Sequence, residues 1–433
     1  MSSQPGAPPD LEALRRAGRP RLAALLEGLW GVPLLEHSLR LHAHRPALPL
    51  EPELEEAFFL ELLRLGTDPD VLEAALADLR ARRVLMTATH LTASEGPTFL
   101  AVHRAASLGL PAGVPYLVGA YANVPFSSAA WSGCLSHSDR HNLSELLEPA
   151  SETFRALSRD EAQRALDTRA GHERRVSLVR GSQRDARVYR AGVAQKLREV
   201  RAALRPPLAG LLPPVTGESF TAWALAASQA VLARVLPGVS PVYLDLTEVA
   251  AAYLQRVLPR AAHPVARLLF DPAVRARALG ALGDLALFGA DEARRKGERW
   301  APVNEQGGRL VGAGLELPLA PGPVVEALRA GRLAPGLLLT FAPLCALSGF
   351  RCLGSFEQVE YLPRVKAALE VAGCFPADAL AAMDCDALAT GRCVDRAGKP
   401  VWPLDLVLGT RWSFPEETTV GAWLAPLWPR LTS

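Results

Sequence analysis

Apolar and polar positions alternate along the chain with two periods. Leu11 to Trp30 repeats apolar residues at helical spacing, interrupted after it by Gly31-Val-Pro33. Glu53 to Leu65 repeats the same spacing. Thr67-Asp68-Pro69 then stops the chain and restarts it, with Asp68 placed to cap a helix and Pro69 suited to its first position. Val71, Leu72, Ala75, Leu76 and Leu79 form that helix's apolar stripe. A short apolar run, Val84 to Met86, enters a polar turn holding Thr87, Thr89, His90, Thr92, Ser94 and Glu95. Gly96-Pro97 opens a helix over Thr98 to Leu108, and a second apolar run follows at Val114 to Val118. Strand, turn, helix and strand in this order predict a parallel crossover unit. Phe220 to Leu236 reads as a helix stopped by Pro237-Gly238, Val242 to Leu246 as a strand, and the next helix is capped near Thr247. This second unit predicts a further strand of the same parallel sheet. Residues 251–298 read as mostly helical, Arg309 to Pro318 as β-like with glycine breaks, and Pro323 to Ala330 as a short helix. Leu337 to Ala342 is an apolar run of strand or buried-helix type, followed by a glycine-rich bend.

The length of 433 residues exceeds one typical domain. The pattern divides it into a Pro-rich tail at 1–10, a helical segment at 11–82, and a first core part at 83–150. An Arg-rich insertion at 151–210, a second core part at 211–373 and a C-terminal cover at 374–433 complete it. With 49% hydrophobic residues a large core is expected, and a formal charge of +2 implies no polyanion partner from the total alone. The local balance differs: residues 155–205 hold thirteen Arg and one Lys against six acidic residues. Aromatics hardly interleave there, so a solvated pair of charged helices is expected rather than a nucleic-acid surface. No run reaches the ~18 apolar residues needed to span a membrane, and MSSQPGAPPD has no apolar signal region. A cytoplasmic protein with no membrane contact is the expectation.

Candidate chemistry gathers where strands end, because open α/β sheets bind ligands beyond the carboxyl ends of their strands. The Thr87–Pro97 turn leads into a helix N-terminus, whose free N–H groups and dipole suit a phosphate or carboxylate. It lacks both GxGxxG and GxxxxGK[ST]. The bland alternative gives Thr89 or Ser94 a capping role and His103 a packing role. Asp245 ends its strand and is either a catalytic or ribose-binding carboxylate or part of the turn into the helix. Arg351, Glu357, Glu360, Tyr361 and Arg364 cluster after the glycine bend, facing a pocket or solvent. His37, His42 and His44 lie among prolines at 34–50 and read as a solvated loop, since no cysteine and only Glu36 is near. Cys134, His137 and His141 have the spacing C-x2-H-x3-H, but a fourth ligand is missing and a polar loop is expected; no metal is assigned. Six cysteines with no CxxC pair do not make a disulfide scaffold.

Four blocks in sequence order resemble the bacillithiol-synthesis cysteine ligases. They are VLMTATHLTASEGPTFLAVHRAASL, VPYLVGAY, the segment from Ser219 to Ala261 containing VYLDLTEVAAAYL, and the segment from Leu333 to Leu369 containing SGFRCLGSFEQVEYLPRVKAAL. The resemblance covers about a third of the chain. It implies an α/β fold with a Rossmann-like parallel sheet core and extensive helical additions. It further implies a ligase or transferase of low-molecular-weight thiol or related metabolite biosynthesis, joining an amine to a carboxylate with help from ATP or ADP. In that reading His90 is the acid/base or charge stabiliser, Asp245 orients a ribose or amine, and Glu357 assists from the bend. Thr87, Thr89, Thr92, Ser94, Gly96 and Gly354 would hold the nucleotide. The partner is a small-molecule substrate, nucleic acid is not expected, and any helical face could serve a homodimer. Three departures stand against these implications. The turn reads Ala88-Thr89-His90 where the family has Gly-Gln-Gln. Gly119 to Asn123 lacks the family's acidic, histidine-containing motif, and Tyr361 is displaced by one position. They raise the alternative of a non-catalytic nucleotide- or metabolite-binding accessory protein on the same fold.

Overall fold

The computed structural model describes residues 10–89, 96–121, 136–137, 141–142, 210–213, 220–283, 285–290, 301–312, 314–410, 412 and 417–433. The N-terminal region is helical: α1 (Leu11–Arg16), α2 (Pro20–Leu29), α3 (Leu34–His42), α4 (Pro52–Arg64) and α5 (Pro69–Ala81). Asp68 caps α5 as its sequence position predicts, accepting from the Asp70 N–H at 3.0 Å. The single stretch expected at 11–30 is two helices, because Gly18 takes φ +76° between them.

Strand β1 (Val84–Met86), helix α6 (Pro97–Ser107) and strand β2 (Tyr116–Ala120) form the predicted crossover. The two-residue strands β3 (Ser136–His137) and β4 (His141–Asn142) make an antiparallel pair. Helix α7 (Phe220–Val235) then leads to β5 (Pro241–Asp245) and α8 (Leu246–Val257), followed by α9 (Pro264–Phe270) and α10 (Pro272–Leu282). Strands β6 (Phe288–Ala290), β7 (Ala301–Gln306), β8 (Arg309–Gly312) and β9 (Leu315–Pro318) follow. Helix α11 (Pro321–Arg329), β10 (Leu333–Pro335), α12 (Leu337–Phe341), a π-helical turn (Ala342–Leu347), β11 (Arg351–Leu353) and α13 (Gln358–Ala372) come before the C-terminal segments.

The fold is α/β. Its centre is a parallel four-stranded sheet in the order β11-β1-β2-β5. Numbered by appearance within this sheet and read from the β5 edge, the order is 3-2-1-4, that of a Rossmann-like half-sheet with the direction of winding reversed between β1 and β11. Both faces are covered, so the strands are continuous apolar runs rather than alternating ones. Alternate residues serve different cores. Leu85, Leu117, Val242, Leu244 and Cys352 pack with α4, α5 and α8 to α10. Val84, Met86, Tyr116, Val118, Tyr243 and Leu353 pack with α1 to α3, α6, α7 and the C-terminal segments.

A second, antiparallel sheet in the order β10-β6-β7-β8-β9 extends the first core. Of it the sequence pattern shows only the β8–β9 stretch; β6, β7 and β10 fall within or beside stretches read as helix, or too short to read. The apolar run at 337–342 is α12 and not a strand. Residues 34–50 also differ from expectation. Their first half is α3, and His37, His42 and His44 each place Nε2 on a backbone carbonyl: Leu388 at 2.7 Å, Ala106 at 2.6 Å and Gly349 at 2.8 Å. These rings stitch α3 to α6 and to the C-terminal region, where the sequence suggested a solvated loop. No helix among the described residues is long and apolar enough to cross a membrane.

Candidate functional site

The reversal of winding places a switch point between the carboxyl ends of β1 and β11, where doubly wound sheets hold their ligands. Thr87 follows the last residue of β1 and Gly354 the last residue of β11. The Thr87 N–H donates to the Leu353 carbonyl at 3.0 Å, extending the ladder by one bond. The Thr87 hydroxyl donates to Gln358 Oε1 at 2.8 Å, and Gln358 Nε2 donates to the Cys352 carbonyl at 2.8 Å. The Tyr361 hydroxyl approaches the same Oε1 at 3.4 Å. Gln358, one turn into the chain after β11, thus ties both strand ends together while only 3% exposed. Its side chain lies directly on Gly354, where an added Cβ would collide with it. Glycine is needed there for close approach rather than for a left-handed conformation.

Thr87, Gln358 and Tyr361, the described side chains that meet at this point, are neutral. Burial raises the Tyr361 hydroxyl well above the usual phenol range and does the same for Tyr121, which follows β2. Neither can act as a base near neutral pH. The described side chains here therefore offer amide and hydroxyl hydrogen bonds. Beyond it, the α6 N-terminus lies beneath the C-terminal region. Gly96 packs near the Trp402 ring, and the Cys393 N–H donates to the Pro97 carbonyl at 3.1 Å.

Of the described residues expected to form one site, Thr87 and Gly354 meet at the switch point through Gln358, whereas Thr89, Asp245 and Glu357 each bind elsewhere. His90, Thr92, Ser94 and Glu95 lie outside the described residues. Thr89 is 1% exposed and turns into the second core, with its hydroxyl 3.3 Å from His103 Nε2. His103 is also held by the hydroxyls of Tyr116 at 3.0 Å and Tyr243 at 3.2 Å. This ring has the packing role that its place on α6 suggests, but as the hub of a polar network spanning α6, β2 and β5.

Asp245 ends β5 opposite Ala120 and caps α8, accepting from the Thr247 N–H at 2.9 Å. It is 2% exposed. Its own N–H donates to Glu61 Oε1 at 2.9 Å, and Glu61 pairs with Arg64 at 2.7 Å. Arg64 is held firmly charged by Glu61. Glu61 itself titrates above the ordinary carboxylate range, because its burial outweighs the pull of the half-exposed Arg64. Three inter-strand steps separate β5 from β11, so Asp245 sits about 14 Å from Gly354.

Glu357 is exposed at the start of α13 and pairs with Arg19 at 3.1 Å. The other members of the cluster after the glycine bend bind different elements. Glu360 accepts the Leu22 N–H of α2 at 2.8 Å. Arg351 donates to the Arg40 and Leu41 carbonyls at the end of α3 and pairs with Asp384 at 2.7 Å. Arg364 donates to the Leu282 carbonyl at the end of α10 at 2.8 Å. This bend joins helices from several parts of the chain; it does not focus charge on one point.

Sequence reasoning missed Gln358 and the whole of β11, whose three residues give no periodic signal. The Gly354-x3-Gln358 spacing is the one hint, and it has no meaning until the two strand ends are adjacent. His137 and His141 are backbone register partners in the β3–β4 pair and do not lie on one helix; Cys134 lies outside the described residues. No group of three or more His, Cys, Asp or Glu among the described residues is arranged to hold a metal ion.

No family model matches the chain, and no curated protein or solved structure matches it.

Proposed function

We propose that the protein binds a nucleotide or a related small anionic metabolite at the carboxyl edge of its parallel sheet, as a non-catalytic accessory protein diverged from a fold of the cysteine-ligase type. The observation that carries this reading is the separation of the two expected catalytic carboxylates, Asp245 and Glu357, with Thr89, expected to hold the nucleotide, enclosed elsewhere. Asp245 caps α8, Glu357 pairs with Arg19 at the surface, and Thr89 lies against His103. An amine–carboxylate ligation needs its acid, base and charge stabiliser within reach of one reacting centre. The 3-2-1-4 strand order supports a ligand at the switch point.

A second reading, a ligase or transferase that uses ATP or ADP, is favoured by that same strand order together with the polar turn after β1. Thermal shift of the purified chain with ATP, ADP, cysteine and an amino sugar tests the first reading. A ligand selective for the folded state adds about 2.7 kcal/mol at a hundredfold excess over its Kd. A shift without turnover of ATP plus amine is the expected result. Release of ADP or AMP coupled to a new amide or amine product would establish the second reading, most directly if His90→Ala abolished it. The absence of a shift with every nucleotide would remove nucleotide binding from both.

A further inference from the structure

Two thiols lie against the switch point without belonging to the ligand-facing groups. Cys345 sits in the π-helical turn and Cys352 in the middle of β11. The chain reverses between them. The Phe350 N–H donates to the Leu344 carbonyl at 2.9 Å, and Gly349 takes φ +64°, a conformation that favours glycine. The reversal brings the two Sγ atoms to 3.5 Å, with each residue 1% exposed. The Cys352 carbonyl is the acceptor for Gln358 Nε2, and Gln358 holds Thr87. Any displacement of Cys352 is therefore passed to the side chain that closes the switch point.

We propose that Cys345 and Cys352 form a reversible thiol–disulfide switch whose oxidation loosens the Gln358–Thr87 closure. A disulfide requires the sulfurs to approach to about 2.05 Å, so the pair must close by roughly 1.5 Å. Two segments can supply the movement. β11 is the edge strand of its sheet, paired along its length with β1 alone, the other side being bridged only beyond it, at Gly354 to Leu388. The π-helical turn interrupts regular helical hydrogen bonding, as such turns do at functional sites.

The oxidant is a small hydroperoxide. One sulfur, as its thiolate, attacks the peroxide; the O–O bond breaks, a sulfenic acid forms, and hydroxide leaves to take up the thiol's proton as water. The second sulfur attacks the sulfenic sulfur, the S–S bond forms, the S–O bond breaks, and a second water carries off the second proton. Two thiols lose two electrons and two protons, and one hydrogen peroxide becomes two waters. Contact with Cys352 and burial hold the Cys345 thiol well above the ordinary thiol range, so that thiol rests protonated. Local opening of the turn, rather than collision with oxidant, then sets the rate.

Trypsin provides a direct test because Arg351 lies between the two cysteines. The folded full chain is treated with hydrogen peroxide, its remaining thiols are blocked with N-ethylmaleimide, and it is digested. Cleavage leaves residues 333–351 and 352–364 joined only if the disulfide has formed. The expected product is that linked pair, released by dithiothreitol. Amide exchange over residues 84–89 and 352–358 should rise several-fold in the oxidised chain and return on reduction. Cys345→Ala and Cys352→Ala should each abolish the linked pair; should either fail to fold, the wild-type map and its reversal stand alone. Separate alkylated peptides, or linkage of either cysteine to Cys385 instead, would overturn the proposal. So would a linked pair with unchanged exchange in both segments.

Discussion

At the scale of single residues, two positions govern the head of the parallel sheet. Gly354 is in contact with the Gln358 side chain, so Gly354→Ala forces that amide away from Thr87 and the Cys352 carbonyl. We expect a loss of about 1–3 kcal/mol, the usual cost of overpacking, measured by urea unfolding. Gly398, where an added Cβ would meet nothing within 4 Å but φ is +79°, would suffer only backbone strain and makes a useful comparison. His103 is the second position. His103→Phe keeps the bulk of the ring but removes both nitrogens from the hydroxyls of Tyr116, Tyr243 and Thr89. Loss of about 1–3 kcal/mol per buried polar group so affected is expected, again by urea unfolding. Neither effect could be predicted from the residue types alone. A glycine and a histidine become decisive only through what the fold places beside them.

Elements are where the sequence is most legible. The caps at Asp68 and Asp245, the prolines at first helical positions and the apolar runs of β1, β2 and β5 all operate as their local chemistry suggests. Of the two roles open to Asp245, the structure shows the turn into α8. That role separates two substitutions. Asp245→Asn keeps an N-cap acceptor and should stay within a few tenths of a kcal/mol of the wild type, whereas Asp245→Ala should cost about 1 kcal/mol. Circular dichroism during thermal unfolding would measure both. A loss of ligand binding in Asp245→Asn at unchanged stability would instead restore its reading as a ligand-facing carboxylate. Most strands that escaped reading are short, the six-residue β7 excepted. β11 and β10 have three residues each, and β6 likewise, too few for any period to show. α3 was obscured by the prolines and histidines around it.

For the molecule as a whole, the three histidines of the α3 region make stability depend on acid. Burial lowers the pKa of His37, His42 and His44 below their ordinary value of 6.5. The cations Arg40, Arg82, Arg83 and Arg351 act in the same direction, and Asp78 and Asp384 oppose them. A depressed folded pKa means that the unfolded chain takes up protons first as pH falls. Stability should therefore be maintained above pH 6.5 and decline below it, as pH falls through the folded values. Urea unfolding at pH 7.5 and 5.5 should show this decline. The double variant His37→Gln with His42→Gln, which keeps a donor for each carbonyl, should make it shallower. By itself the sequence determined the α/β class, the crossover through α6, the strand at β5 and the bounds of α5, α6 and α7. These follow from local rules: residue spacing sets which face is apolar, and caps set where helices begin. Tertiary structure alone decided the β11-β1-β2-β5 order, the Gln358 closure, the enclosure of Thr89 by His103 and the separation of Asp245 from Glu357. The physical reason is distance along the chain. Thr87 and Gln358 are joined by a hydrogen bond across 271 positions, and no local preference encodes which strands become neighbours.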